Sequence, residues 1–228
     1  MDMFGAHWMI RWQGEKMTVH AACPLLYKQS YLDKGDERTD LFRKLSSRYG
    51  VQRALYPGSF VDISPSFVIP NVVYVDSFRK TRPFFADPAT LAYINARKEY
   101  AEEATVTFHF GDYAGILGEE ANSFDLLISQ YAGFISPVCQ KYLKPGGLLV
   151  VNDSHGDASM ANLDPTFRLI GVANRRGNQF SISEKGLDRY FIPKKEIMVT
   201  TDLLRQTGKG VTYTKWAGNY IFQKIIEK

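Results

Sequence analysis

Leu143-Lys144-Pro145-Gly146-Gly147-Leu148-Leu149-Val150-Val151 follows Phe124-Asp125-Leu126-Leu127-Ile128-Ser129 after a short segment of helical character. An apolar run, a helix, a Lys-Pro-Gly-Gly turn and a second apolar run make a βαβ unit. Pro145 is expected to stop the helix, because inside one it would lose a hydrogen bond and clash with the preceding turn. The two glycines supply the dihedrals of a sharp reversal. Residues 148–151 are apolar throughout, as expected of a parallel strand covered on both faces.

The same pattern extends towards the N-terminus. Residues 53–56, 72–75 and 105–110 read as further strands, with 124–128 and 148–151 as the fourth and fifth. Asp40 is placed to cap a helix over 41–49, ended by Gly50. Asp87-Pro88 opens another helix, which is expected to run to about Glu103. Residues 63–69 read as a short helix or loop. Strand and helix alternate, which is the signature of a parallel sheet with helices on both faces. Beyond it, 167–172, 179–183 and 219–225 read as later strands and 202–206 as helix. Residues 1–34 show no clear period, and 156–165 reads as a loop beside the site.

Composition sets outer limits. The chain has 228 residues, 45% hydrophobic and 23% charged, with a net charge of +4. This suits one α/β domain (41–228, with an insertion around 155–215) behind an N-terminal extension (1–40). No apolar run reaches the ~18 residues of a membrane-spanning helix. His7, Arg11, Glu15 and Lys16 interrupt the N-terminal segment, so it does not read as a secretory signal; Met17 is a second candidate start, and a cytoplasmic protein is expected. Cys23 and Cys139 make neither a disulfide framework nor a zinc quartet. Cys139 is expected to be a buried, inert thiol. The mild positive charge permits an anionic partner without demanding nucleic acid.

In an open parallel sheet, ligands bind beyond the carboxyl ends of the strands, where the strand order reverses. The residues following each strand are Tyr56-Pro57-Gly58-Ser59, Asp76, Gly111-Asp112-Tyr113, Ser129-Gln130-Tyr131 and Asn152-Asp153-Ser154-His155. Gly58 admits close approach of a ligand to backbone. Asp76 can accept hydrogen bonds from both hydroxyls of a ribose. Asp112 can accept from an adenine amine, and Tyr113 can stack on a base.

These residues and the Lys144–Gly147 turn resemble the class I S-adenosylmethionine (AdoMet)-dependent methyltransferases over about residues 41–153. The resemblance implies a Rossmann-like, mostly parallel sheet and AdoMet as cofactor. It would set Tyr56, Pro57, Gly58, Ser59, Asp76, Asp112, Tyr113 and Ser129 around that cofactor. The first turn departs from the family pattern, with one glycine and no preceding acid; Asp62 is a candidate replacement for the acid.

Methyl transfer needs alignment of the acceptor, and a base only where the acceptor loses a proton. His155 is the candidate base, with Asp153 or Asp157 to orient its ring, and Tyr131 is the candidate acceptor-facing side chain. The stretch 153–157 has metal-capable side chains, but no metal is assigned. The acceptor is expected to be a small molecule, with nucleic acid and the oligomeric state left open. Two other readings compete: a non-catalytic or regulatory protein on the same fold with a decayed cofactor site, and a nicotinamide-dependent oxidoreductase. The second lacks its Gly-x-Gly-x-x-Gly turn.

Overall fold

A computed structural model describes residues 21–115 and 117–225. His7, His20 and Met17 lie outside the described residues. Eight strands form one sheet: β1 (Arg53–Pro57), β2 (Asn71–Asp76), β3 (Thr105–Phe110), β4 (Phe124–Ser129), β5 (Leu143–Val151), β6 (Phe167–Arg176), β7 (Gln179–Ser183) and β8 (Asn219–Lys224). Their order is β3-β2-β1-β4-β5-β8-β6-β7. The first five strands pair in parallel, while β8 is antiparallel to both β5 and β6, and β7 closes a hairpin on β6. Strand order reverses between β1 and β4, and the ligand-binding crevice of such sheets opens at that point.

Alternate residues of the central strands go to opposite faces. Ala54, Tyr56, Val72, Tyr74, Leu126 and Ile128 enter one core, while Leu55, Val73, Val75, Leu127, Leu149 and Val151 enter the other. Both faces are therefore dry, which accounts for the unbroken apolar runs. The first core takes the helix α2 (Thr39–Tyr49) through Leu41, Phe42 and Leu45. It also takes Tyr27, at the end of the short helix α1 (Leu25–Tyr27), and Tyr31, in the π-turn Lys28–Leu32 that follows. The chain before residue 41 thus shares the core of the domain and includes helix where none was expected.

Several boundaries differ from expectation for local reasons. Asp40 lies inside the first turn of α2 rather than before it, and its carboxylate accepts from Lys44 and from the backbone N–H of Phe180 in β7. Lys44 also donates to the Phe180 carbonyl. A short helix α3 (Thr81–Ala86) precedes α4 (Pro88–Arg97), which Asp87 caps by accepting from Ala89 N–H at 2.9 Å. Helix α4 ends at Arg97, short of Glu103, because Lys98 turns extended and Glu99 N–H bonds the Phe67 carbonyl. The 63–69 stretch is a 3₁₀ turn at Ser64–Phe67.

The Lys-Pro-Gly-Gly turn has a different place from the one expected. Helix α5 (Ser136–Cys139) and a 3₁₀ turn (Gln140–Tyr142) are over before Leu143, where the chain is already extended. Phe124 pairs with Leu143 and Leu126 with Leu148, so residues 144–147 bulge out within β5. Lys144 fastens the bulge to Asp125 at 2.6 Å. The expected loop at 156–165 contains the helix α6 (Asp157–Leu163), which buries Ala158, Met160 and Ala161. The last helix, α7 (Thr201–Thr207), is capped by Thr200. Cys139 is buried, and burial pushes its thiol up to about 12. No helix among the described residues is long and apolar enough to cross a membrane.

Candidate functional site

The carboxyl ends of β1, β2, β3 and β4 surround a cleft of about 410 Å³. Its walls include Gly58, Asp76, Asp112, Tyr113 and Tyr131, five of the residues picked out in the sequence, together with Phe60 and Phe78. The two phenylalanines meet edge to face with centroids 5.7 Å apart, and Phe78 is 49% exposed. No motif marked them; an exposed aromatic directly after a strand-end acid was the available signal.

Asp76 binds backbone first. Its two carboxylate oxygens accept from Phe60 N–H at 2.8 Å and Phe78 N–H at 2.7 Å. Each oxygen keeps acceptor capacity, because a carboxylate offers about four lone-pair sites. Asp112 accepts from Ala114 N–H through Oδ1, and its Oδ2 has no partner among the described residues. Tyr113 donates its hydroxyl to the Ala132 carbonyl at 2.9 Å, which ties the end of β3 to the end of β4. Burial raises the Tyr113 pKa, so the hydroxyl keeps its proton.

The first turn packs against protein. Gly58 has φ +64°, and a Cβ there would overlap the Ala132 side chain. Its N–H donates to the Val75 carbonyl at 2.7 Å. The side chains of Tyr56, Pro57, Ser59 and Ser129, expected around the cofactor, do not line this cleft. Strand alternation turns Tyr56 into the core, where its hydroxyl donates to Asp62 at 3.1 Å, and Pro57 is buried beside it. Ser59 is 1% exposed and donates to the Phe60 carbonyl. Ser129 donates to Asp157 at 2.6 Å.

Asp62 is fully buried and does not stand in for the missing acid. Arg38 pairs with it at 2.8 Å, and Ser64 donates to it through both N–H and hydroxyl. Burial works against the Arg38 charge, but Tyr56, Asp62, Asp36 and Tyr31 outweigh it and hold the guanidinium protonated. That guanidinium lies 5.5 Å from the Tyr31 ring centroid and 5.4 Å from that of Tyr131. Tyr131 has φ +58° and is 62% exposed. Its N–H donates to Asn152, which joins Gln130 and Asn219 in a chain of amides across the ends of β4, β5 and β8.

Tyr131 also lines a second cavity, of about 720 Å³, with Asp153, Lys194, Lys209, Tyr213 and Trp216. Asp153 Oδ1 accepts from Ser159 N–H and Oδ2 from its hydroxyl. Burial pushes the Asp153 carboxyl up to about 6 against those bonds. Backbone at Lys209-Gly210 lies directly over this carboxylate: a Cβ at Gly210 would stand 2.8 Å from Asp153 Cγ. His155 is exposed, meets the Ser154 hydroxyl at 3.0 Å and lines neither cavity. Asp157 does not reach it, because its carboxylate accepts from Ser129 and from the N–H and hydroxyl of Ser136. Burial raises the Asp157 pKa while those bonds oppose the rise. No group of three or more His, Cys, Asp or Glu able to hold a metal occurs among the described residues.

The strand order and the strand-end crevice identify the architecture. The fold is one that solved methyltransferases share. A proposed O-methyltransferase from Klebsiella pneumoniae superposes with a TM-score of 0.51 at 12% identity, over 92% of this chain and 86% of that one. The O-methyltransferase from Bacillus cereus, solved with S-adenosylhomocysteine (SAH), superposes with a TM-score of 0.50 at 10% identity, over 83% and 80%. In sequence, no family model and no curated protein matches the chain. At such identities the likeness shows a common fold.

Proposed function

We propose that the protein is an AdoMet-dependent methyltransferase, with the cofactor in the cleft around Asp76 and the acceptor in the cavity around Asp153. The observation that carries this reading is the meeting of the two spaces at Tyr131, which lines both. A transferase needs two sites that open on each other at the reacting atom. The solved relatives of this fold, described as O-methyltransferases, support the reading, as does the SAH bound in one of them.

The residues suit AdoMet unevenly. Asp76 has lone pairs left for the ribose hydroxyls, Asp112 Oδ2 can accept from the adenine amine, and Phe78 and Tyr113 offer faces to the base. The volume, about 410 Å³, is within the usual range for small-ligand clefts. The first turn suits it less, since Gly58 N–H is already bonded and Ala132 occupies the space above it. In this reading Gly58 serves packing rather than cofactor contact.

AdoMet supplies a methyl carbon on a sulfonium sulfur, a good leaving group. The chain then has to hold an acceptor oxygen in line, exclude water and receive a proton. Asp153 is placed for the proton, at an apparent pKa of about 6 that suits a base near neutrality. It takes over the role that the sequence suggested for His155. Tyr131, held by Arg38 and Asn152, stands where the two spaces meet and would orient the acceptor there.

The test is calorimetric titration of the full chain with AdoMet and with SAH. Saturable binding of both is expected. A folded sample that takes up neither would end this reading and favour a non-catalytic role for the fold.

A further inference from the structure

The cavity of about 720 Å³ has a chemical character that the cofactor cleft lacks. Two lysines line it, Lys194 and Lys209, and neither ammonium has a hydrogen-bond or ion-pair partner among the described residues. The single acid on the wall, Asp153, is held by Ser159 rather than by either lysine.

The same wall exposes aromatic surface. Trp216 is 75% exposed and Tyr131 62%. Tryptophan combines a large apolar face with one N–H, and leaving that face in water forgoes about 2–3 kcal/mol of burial. Gly210, Ala217 and Gly218 put little side chain into the space, while Tyr213 and Tyr220 add aromatic surface to the wall. Aromatic faces and cations with no partner among the described residues together suit a planar ring that carries an oxyanion. A volume of about 720 Å³ lies within the usual range for small-molecule sites.

We infer that the acceptor is a hydroxylated aromatic acid, its ring against Trp216 and Tyr131 and its carboxylate or phosphate read by Lys194 and Lys209. This rests on the assignment of that cavity to the acceptor. A hydroxyl of the ring then has Asp153 within the same space to take its proton as the methyl group arrives. The balance is that of a substitution: the O–H bond and the S–CH₃ bond break, the O–CH₃ bond forms, and the proton goes to the carboxylate.

The experiment is calorimetric titration of the full chain, alone and saturated with SAH, with 4-hydroxybenzoate, phenol, phenyl phosphate and an oligouridylate. 4-Hydroxybenzoate or phenyl phosphate is expected to bind at least ~10-fold more tightly than phenol, about 1.4 kcal/mol. Which of the two binds better tells carboxylate from phosphate. The preference should vanish in Lys194→Gln/Lys209→Gln, and Trp216→Ala should weaken acid and phenol alike. Equal binding of acid and phenol, or a preference that survives loss of both lysines, overturns the inference; so does tight binding of the oligouridylate alone. SAH binding without any aromatic binding defeats the inference and leaves the methyltransferase reading intact. Lysine-dependent acid binding without SAH binding does the reverse.

Discussion

The cleft around Asp76 is self-braced, whereas the cavity around Asp153 is left open. In the first, Asp76 holds two backbone N–H groups, Tyr113 bonds a carbonyl, and the first turn leans on Val75 and Ala132. In the second, two ammonium groups have no partner among the described residues and a tryptophan stands in water. The braced side needs little reorganisation to receive a fixed ligand, and pre-formed sites bind at lower entropic cost. In the proposed reading, the open side is where the second ligand would bind. On that reading, one half of the site would serve a constant component and the other a variable one.

The contrast can be broken most sharply at Asp153. Asp153→Asn should lower kcat by about 10²–10⁴-fold and remove a limb of the pH–rate profile that rises through about 6. A parallel loss with an unchanged profile would remove Asp153 from proton transfer. The sign for stability is opposite. The folded chain holds the Asp153 proton from about 3.8 to about 6, so the contribution is present below that window and lost above it. Asp153→Asn should therefore unfold at higher temperature than the parent at pH 8 but not at pH 4, with a gain of at most about 3 kcal/mol.

Asp157→Ala tests the buried carboxylate that ties the end of β4 to the start of α5. It leaves the hydroxyls of Ser129 and Ser136 and one N–H without their acceptor. Denaturant unfolding should register a loss of about 3 kcal/mol. A loss below 1 kcal/mol would mean that water replaces the carboxylate and that this junction is softer than its burial suggests.

Asp76→Ala should cut AdoMet affinity on the order of 100-fold, about 2.7 kcal/mol. Asp76→Asn keeps one acceptor oxygen, so it should lose one of the two backbone bonds and weaken AdoMet binding less than Asp76→Ala does. Unchanged affinity in folded Asp76→Ala would make this carboxylate a brace alone. The smallest effect is expected at His155. His155→Ala should change kcat/KM by less than about 3-fold, under 0.7 kcal/mol; a loss beyond 100-fold would return the base to His155.

Strand ends were legible in the sequence because a dry strand must be apolar throughout, and the first polar residue marks its mouth. That logic places Asp76, Asp112 and Tyr131 on the cleft. It does not give side-chain direction, and one residue of register sends Tyr56 and Ser129 into the interior. It also reads Asp157 as a free carboxylate, because its partners Ser129 and Ser136 are more than twenty residues away. Lys194, Lys209 and Trp216 carried no signal for the same reason. They become neighbours of Asp153 only when β8 inserts beside β5, a pairing between distant parts of the chain.

The pairing of α2 with β7 has a consequence for solubility. Phe180 sits on the outer rim of the sheet, and its N–H and carbonyl are the groups through which another chain would add as a ninth strand. Asp40 takes the first and Lys44 the second, from successive turns of one helix. An unguarded rim of this kind is a template for aggregation. Here the guard comes from about 140 residues earlier in the chain, so the rim is covered only once the two ends of the domain have met.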